Sequence, residues 1–244
     1  MNFTEFYNIA LEIWSKNTFL PTLTEEKAQV LYKLTEHMLE VNKSMNLTAI
    51  KGEESIILKH YADSLVVSAH IPPGASVIDV GCGAGFPAIP LAIFRPDISI
   101  TALDSTAKRI EYVKQTTSLL GLANVTAISE RAETLANNPS YRESFDIATA
   151  RAVAAMPILV ELCLPFVKVG GKFVAMKAAK GDDEARISEN AIAKCGGKLL
   201  TIDERPLHSR NGDPERRVII CVSKEAKTPK EFPRHYSKIS KKPL

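Results

Sequence analysis

The stretch Val77-Ile78-Asp79-Val80-Gly81-Cys82-Gly83-Ala84-Gly85-Phe86-Pro87 decides the fold. A short run of branched apolar residues ends in a carboxylate and passes into a loop with glycine at every second position. That pattern reads as a strand buried on both faces, delivering an acid into a turn whose backbone comes close to a ligand. Dinucleotide-binding turns carry G-x-G-x-x-G, the third glycine lying where the next helix packs on the strand. Here Phe86 holds that place and the glycines fall at 81, 83 and 85, which excludes a nicotinamide dinucleotide fingerprint. A glycine-rich turn of an unrelated α/β protein is the plain alternative.

From Ser76 onward, apolar strand-like runs alternate with helical periodicity, so an α/β fold with a mostly parallel sheet flanked by helices is expected. Strands are expected at 76–80, 98–103, 125–128, 145–150, 171–177, 197–203 and 216–222, with helices at about 87–94, 106–120, 154–168 and 182–195. Ile110, Val113, Thr117 and Leu120 line one face of the second helix, and Gly121 stops it. The last two strands read as a hairpin across Arg210-Asn211-Gly212-Asp213-Pro214. Residues 1–70 read as a helical cap, 71–223 as the core and 224–244 as a basic tail. In the cap, Thr22 and Glu25 have capping-box spacing, and Leu31, Leu34, Met38 and Val41 recur on one face. Asn42 to Asn46 are expected to break that helix, and a second one runs from Glu53 to about Ser68.

The 244 residues suit one α/β domain with an appendage, and no apolar run approaches the roughly 20 residues that span a bilayer. The N-terminal MNFTEFYNIALEIW is amphipathic and acidic, unlike a signal peptide. Cys82, Cys163, Cys195 and Cys221 lie far apart with no C-x-x-C pair, and the five histidines are scattered. No metal, no disulfide framework and a reducing cytoplasm are therefore expected. The net charge of +3 is less telling than its distribution. Residues 224–244 hold seven Lys/Arg against Glu225 and Glu231, and Arg205, Arg210, Arg216 and Arg217 form a second basic group. Such an end is either a solvated face or a contact for a polyanion. No pattern reads out an oligomeric state, and a monomer is expected.

With Asp79 attached, the glycine loop reads D-x-G-x-G-x-G, the pattern of proteins that bind S-adenosylmethionine. Ligands in such sheets sit beyond the carboxyl ends of the strands. Those ends offer Asp79, Gly81, Gly83, Gly85 and Phe86, then Asp104, well placed to accept from two ribose hydroxyls. Ser105 and Thr106 follow, equally good as plain helix caps. The third strand leads to Ala132 and Glu133, placed to meet an adenine, the fourth to Arg151 and the fifth to Lys177.

The fourth strand end bears on substrate. Enzymes that methylate exocyclic base amines carry an N/D-P-P-Y-type motif there, whereas this chain has Ala148-Thr149-Ala150-Arg151-Ala152-Val153. Attack through pyrimidine carbon 5 needs a cysteine, and none is near. Guanine N7 bears a lone pair in the ring plane and no proton, so placement and desolvation suffice. An arginine suits that task, since guanine O6 and N7 favour Arg or Lys; a structural ion pair is its alternative role.

Asn46-Leu-Thr-Ala-Ile, His60 with Asp63-Ser64, the loop from Asp79 to Pro87, Arg151-Ala and Met176-Lys177 together resemble the RsmG family. These are small-subunit rRNA guanine-N7 methyltransferases, formerly called glucose-inhibited division protein B. The resemblance implies a Rossmann-like seven-stranded sheet with an N-terminal helical cap, S-adenosylmethionine as donor, and N7 of a guanine in the 530 loop of 16S rRNA as acceptor. The partner it implies is 16S rRNA, the small ribosomal subunit or its assembly intermediate. It further implies donor contacts at Gly81, Phe86, Asp104 to Thr106, Ala132 with Glu133, and Arg151. Arg151 and Lys177 are then expected to orient the substrate, with no general base, and Asn46, His60, Arg234, Lys238, Lys241 and Lys242 to meet RNA. The family's tail commonly reads Pro-Arg-…-Gly-…-Pro-Leu; here His235-Tyr236-Ser237-Lys238-Ile239 replaces its glycine-containing middle. A small-molecule methyltransferase, or a non-catalytic ribosome- or RNA-binding protein on this fold, are the rival readings.

Overall fold

Strand β1 (Ser76–Val80) lies in the interior of the sheet, and its alternate side chains feed two separate cores. Val77 joins one apolar cluster while Ile78 and Val80 join the other. The computed structural model, which describes residues 1–244, has seven strands: β2 (Ser99–Asp104), β3 (Val125–Ser129), β4 (Phe145–Arg151), β5 (Val167–Lys177), β6 (Gly197–Glu204) and β7 (Val218–Lys224) complete the set. Their order is β3-β2-β1-β4-β5-β7-β6. Only β7 runs against its neighbours, pairing Lys172 with Ser223 through Lys177 with Val218. The order reverses between β1 and β4, and that switch opens the crevice in which doubly wound sheets hold ligands.

The N-terminal segment is made of α1 (Phe3–Lys16), α2 (Glu25–Met45), α3 (Glu53–Ile56), a π-helical turn Ile57–Ala62 and α4 (Asp63–Leu65). It has no core of its own. Phe6, Leu31, Met38 and Tyr61 share one cluster with Val77, Ile100, Ile147 and Val174, together with α5 (Ala88–Phe94) and α6 (Ala107–Leu120). The opposite face is covered by α7 (Ala132–Leu135), α8 (Met156–Cys163), α9 (Gly181–Ile187), α10 (Glu189–Lys194) and α11 (Tyr236–Lys241). No helix is long and apolar enough to cross a membrane.

Several boundaries differ from the sequence reading. Helix α2 is capped by Thr24, whose Oγ1 accepts from the Lys27 N–H, rather than by Thr22. It ends at Asn46 in the left-handed conformation (φ 52°), while Asn42 stays helical and pins the next turn by bonding both the N–H and C=O of Thr48. The helix expected over 154–168 stops at Cys163, and the chain is already extended at Val167. Pro165 lacks the N–H that another helical turn requires. The helix expected over 182–195 divides at Ser188, whose hydroxyl donates to the Glu184 carbonyl.

Strands β6 and β7 do form an antiparallel pair, but no tight turn joins them. Residues 205–217 make an excursion held by a Leu207–Glu215 bridge and fastened to the cap. Asn17 bonds the N–H and C=O of His208, Arg210 pairs with Glu12, and the Lys16 ammonium donates to the carbonyls of Ser209 and Arg210. The C-terminal segment is also folded rather than free. Lys224, counted with the basic tail, is buried in β7, donating to the Leu164 carbonyl and pairing with Glu143. Arg142 donates to the carbonyls of Thr228, Pro229 and Phe232.

Candidate active site

The loop after β1 is shaped by where its glycines stand. Gly81 has φ +77°, and a Cβ there would lie 2.5 Å from Val153 Cγ2. Gly83 is also left-handed (φ +57°), but a Cβ on it would meet nothing within 4 Å, so its bare backbone faces open space. Gly85 (φ +87°) packs backward, its missing Cβ filled by Ile89 and Val113 from α5 and α6. Two of the glycines therefore line the crevice, while the third lets the helices close behind it.

A cavity of about 350 Å³ lies beyond the ends of β1, β2 and β3, lined by Gly81, Asp104, Ser105, Thr106, Ala132 and Glu133 among others. Asp104 ends β2 with its carboxylate at the cavity wall, Oδ2 accepting from the Gly83 N–H at 3.0 Å and Oδ1 from the Thr106 N–H at 2.8 Å. Arg109 stands 3.6 Å from Oδ2. Glu133, in the first turn of α7, is 6% exposed, and its Oε1 is buried without a hydrogen-bond partner. An orphaned acceptor of this kind costs free energy unless a ligand donates to it. A ligand with vicinal hydroxyls at Asp104 and an amino group at Glu133 fits these two carboxylates, and a nucleoside has both.

Asp79 does not line this cavity. It is fully buried behind the loop, where Oδ2 accepts from the Ala88 N–H at the start of α5 and Oδ1 has no partner. Burial pushes its pKa up to about 7, against the opposing pulls of the Ala88 N–H and of Arg151. The folded chain thus keeps a proton that the unfolded chain releases near the ordinary value of 3.8. Protons bound in excess by the native state make stability fall as pH rises, here between about 4 and 7, by at most about 4 kcal/mol. Asp79→Asn is expected to flatten that slope. Urea unfolding of both proteins at pH 5 and pH 8 checks this, and equal slopes would remove Asp79 as its source.

A second cavity of about 390 Å³ adjoins the first, sharing Gly81, Arg109 and Ala152. His60, on the π-helical turn, stacks on Phe86 with ring centroids 4.4 Å apart and planes 11° from parallel. Its Nε2 lies 2.8 Å from Thr48 Oγ1, and its Nδ1 is buried without a partner. Burial and the neighbouring Arg151 cation push its pKa down to about 4, so the imidazole is neutral at physiological pH. Arg151 leaves the end of β4 with its Cζ 5.6 Å from the Phe86 centroid. One nitrogen, Nη1, is engaged, donating to the Lys59 carbonyl at 2.9 Å and to Asp63 Oδ2 at 2.8 Å. The other Asp63 oxygen accepts from Arg217 Nε at 2.6 Å, so one buried carboxylate braces two arginines. A third cavity, about 330 Å³, continues from Asp63, Arg151, Ala152 and Arg217 to Lys177.

Several expected contacts are already committed elsewhere. Lys177 is spent on Glu184 at 2.7 Å and on the Ala154 carbonyl at 2.6 Å, which ties the end of β5 to α9 and to the loop after β4. Arg234 is clamped to the fully buried Glu161 through its backbone N–H, Nε and Nη2. Asn46 is exposed at the end of α2 and borders the crevice only through Leu47. The second basic group is largely neutralised, since Arg210, Arg216 and Arg217 all pair with acids. Lys238, Lys241 and Lys242 remain exposed. The fold also gathers His70, Asp203 and Cys221, which the sequence scatters. There the imidazole lies between its partners, Nδ1 3.3 Å from the thiol and Nε2 3.6 Å from the carboxylate.

Arg109, Arg217 and Tyr236 line these cavities without having been expected there, and Ala152, which the sequence places just past the fourth strand end, lines them too. Ala152 borders all three cavities in a left-handed conformation (φ 55°) that favours glycine, and nothing in an Ala-Arg-Ala-Val string signals it.

The chain is similar over most of its length to known proteins. The family model described as "rRNA small subunit methyltransferase G", GidB, matches residues 27–211. A protein of that name from Leuconostoc citreum is 42% identical over 227 residues, covering 91% of this chain and 93% of its own. One from Deinococcus radiodurans is 43% identical over 205 residues, covering 83% and 80%. Among solved structures, M. jannaschii TYW2 in complex with AdoMet superposes with a TM-score of 0.55 at 18% identity, covering 73% of this chain and 80% of that one. At that identity the superposition establishes the shared fold.

Proposed function

The chain belongs to the rRNA small subunit methyltransferase G family, and from that premise we propose that it methylates N7 of one guanine in the 530 loop of 16S rRNA. S-adenosylmethionine is the donor, and the ribosomal small subunit or its assembly intermediate carries the acceptor in the cytoplasm. The observation that carries this reading is the junction of two cavities at Gly81, Arg109 and Ala152. One is furnished for a nucleoside by Asp104 and Glu133, and the next presents His60, Phe86 and Arg151.

When bound, S-adenosylmethionine supplies an electrophilic methyl group on a sulfonium. Asp104 would receive the ribose hydroxyls and Glu133 Oε1 the adenine amino group, with Ser105, Thr106 and Ala132 completing the wall. The chain then has to present guanine N7 in line with that methyl group and keep water out. N7 carries no proton, so no base is needed, and His60 held neutral by burial is consistent with a positioning role. With Nη1 braced by Asp63, Arg151 retains Nε and Nη2 to donate to guanine O6, leaving N7 free to attack. The exposed Lys238, Lys241 and Lys242 supply phosphate contacts, whose contribution weakens with salt. Lys177 acts at a distance by fixing the loop that follows Arg151.

Incubating the protein with radiolabelled donor and unmethylated small subunits tests the substrate class. Label in 16S rRNA is expected; label in small metabolites and none in rRNA would overturn the proposal.

A further inference from the structure

The tail stretch that departs from the family's glycine-containing pattern forms α11, and it reaches the donor cavity. Tyr236 lines that cavity together with Glu130, Arg131, Ala132 and Glu133. Tyr236 is 38% exposed, too open to serve the core, while Ile239, its neighbour one turn further along the same side of α11, is fully buried. Ile239 belongs to the cluster that contains Leu159, Leu162 and Cys163 of α8. Upstream, Arg234 is locked on the buried Glu161, and its Nη2 also donates to the Lys242 carbonyl across α11. Arg142 fastens the preceding turn through three carbonyls. The segment is therefore anchored at both ends and by the buried Ile239, which leaves the Tyr236 ring at the edge of that packing and in the cavity lining.

We infer that the C-terminal segment completes the donor site, with Tyr236 packing against the purine whose amino group Glu133 receives. The inference rests on the reading of this cavity as the S-adenosylmethionine site. The partner chemistry follows from the lining: an unpartnered buried acceptor at Glu133, apolar residues Val80, Leu103, Val153 and Leu162, and the partly exposed phenol ring of Tyr236. A flat heteroaromatic with an N–H donor on its edge satisfies all three. Ring-on-ring packing adds affinity beyond simple burial, and it needs no hydroxyl.

Titration calorimetry of the full chain with S-adenosylhomocysteine tests this, using Tyr236→Ala, Tyr236→Phe and Asp104→Asn. Tyr236→Ala is expected to weaken binding by about ten-fold, the size of lost base–aromatic stacking. Tyr236→Phe is expected to bind like the parent, and both should keep its melting temperature because the ring is not part of the core. Parent-like affinity in Tyr236→Ala, with binding lost in Asp104→Asn, overturns the inference and leaves the donor site standing. Parent-like affinity in Asp104→Asn overturns the donor-site reading and the inference with it.

Discussion

Asp104→Asn is expected to weaken S-adenosylmethionine binding by about a hundred-fold while the protein stays folded. The carboxylate uses both oxygens on backbone donors, Oδ2 on Gly83 and Oδ1 on Thr106, and presents its remaining lone pairs to the cavity. Hydrogen bonds to a charged acceptor contribute about 1.5–3 kcal/mol each, and a ribose offers two donors. An amide supplies one acceptor and turns an NH2 toward an N–H that needs an oxygen. Loss therefore falls on the hydroxyl contacts and on the seating of Gly83, whose bare backbone faces the ligand space. Calorimetry measures the change directly. Unaltered affinity would take Asp104 out of the site.

Asp63→Ala is expected to damage stability and turnover together. The carboxylate is 8% exposed, and it is the shared counter-ion of Arg151 and Arg217. Removing one partner of a buried pair leaves uncompensated charge and costs about 3–5 kcal/mol. Arg217 keeps Glu215, whereas Arg151 is left with the Lys59 carbonyl, so the larger disturbance falls at the end of β4. Asp63 is not a wall of the donor cavity, so donor affinity should hold while methyl transfer falls at least ten-fold, since small misplacements carry large rate penalties. Urea unfolding and single-turnover transfer separate the two effects. Normal stability together with normal turnover would show that the brace does nothing.

Much of this was legible because it is local. The run ending in Asp79 and the glycines after it announce a buried strand and a tight loop, and the alternation that follows gives the sheet. Asp104, Ala132 and Glu133 were readable because each lies just past a strand end, where open sheets hold ligands. What stayed hidden depends on partners far away in sequence. Glu161 is an unremarkable acid in an apolar helix until it meets Arg234, 73 residues later, which turns an expected RNA contact into an anchor. Asp63 and Arg217 are separated by 154 residues, and nothing in either segment announces the other. Asp79 shows the opposite failure. Its place in the motif is clear, but the direction of its side chain is set by the start of α5, which turns it away from the cavity. Tyr236 was set aside as a departure from a familiar tail, because its significance lies in a helix of six residues packed on α8.

The reaction proposed for this chain is N7 methylation of a single guanine. Small subunits from cells lacking this modification should be incubated with the protein and S-adenosylmethionine, and the 16S rRNA then reduced and treated with aniline, which cleaves the chain at N7-methylguanosine. One new cleavage in the 530 loop, dependent on both protein and donor, is the result predicted. Methylation that leaves the 530 loop uncleaved would overturn the proposed reaction.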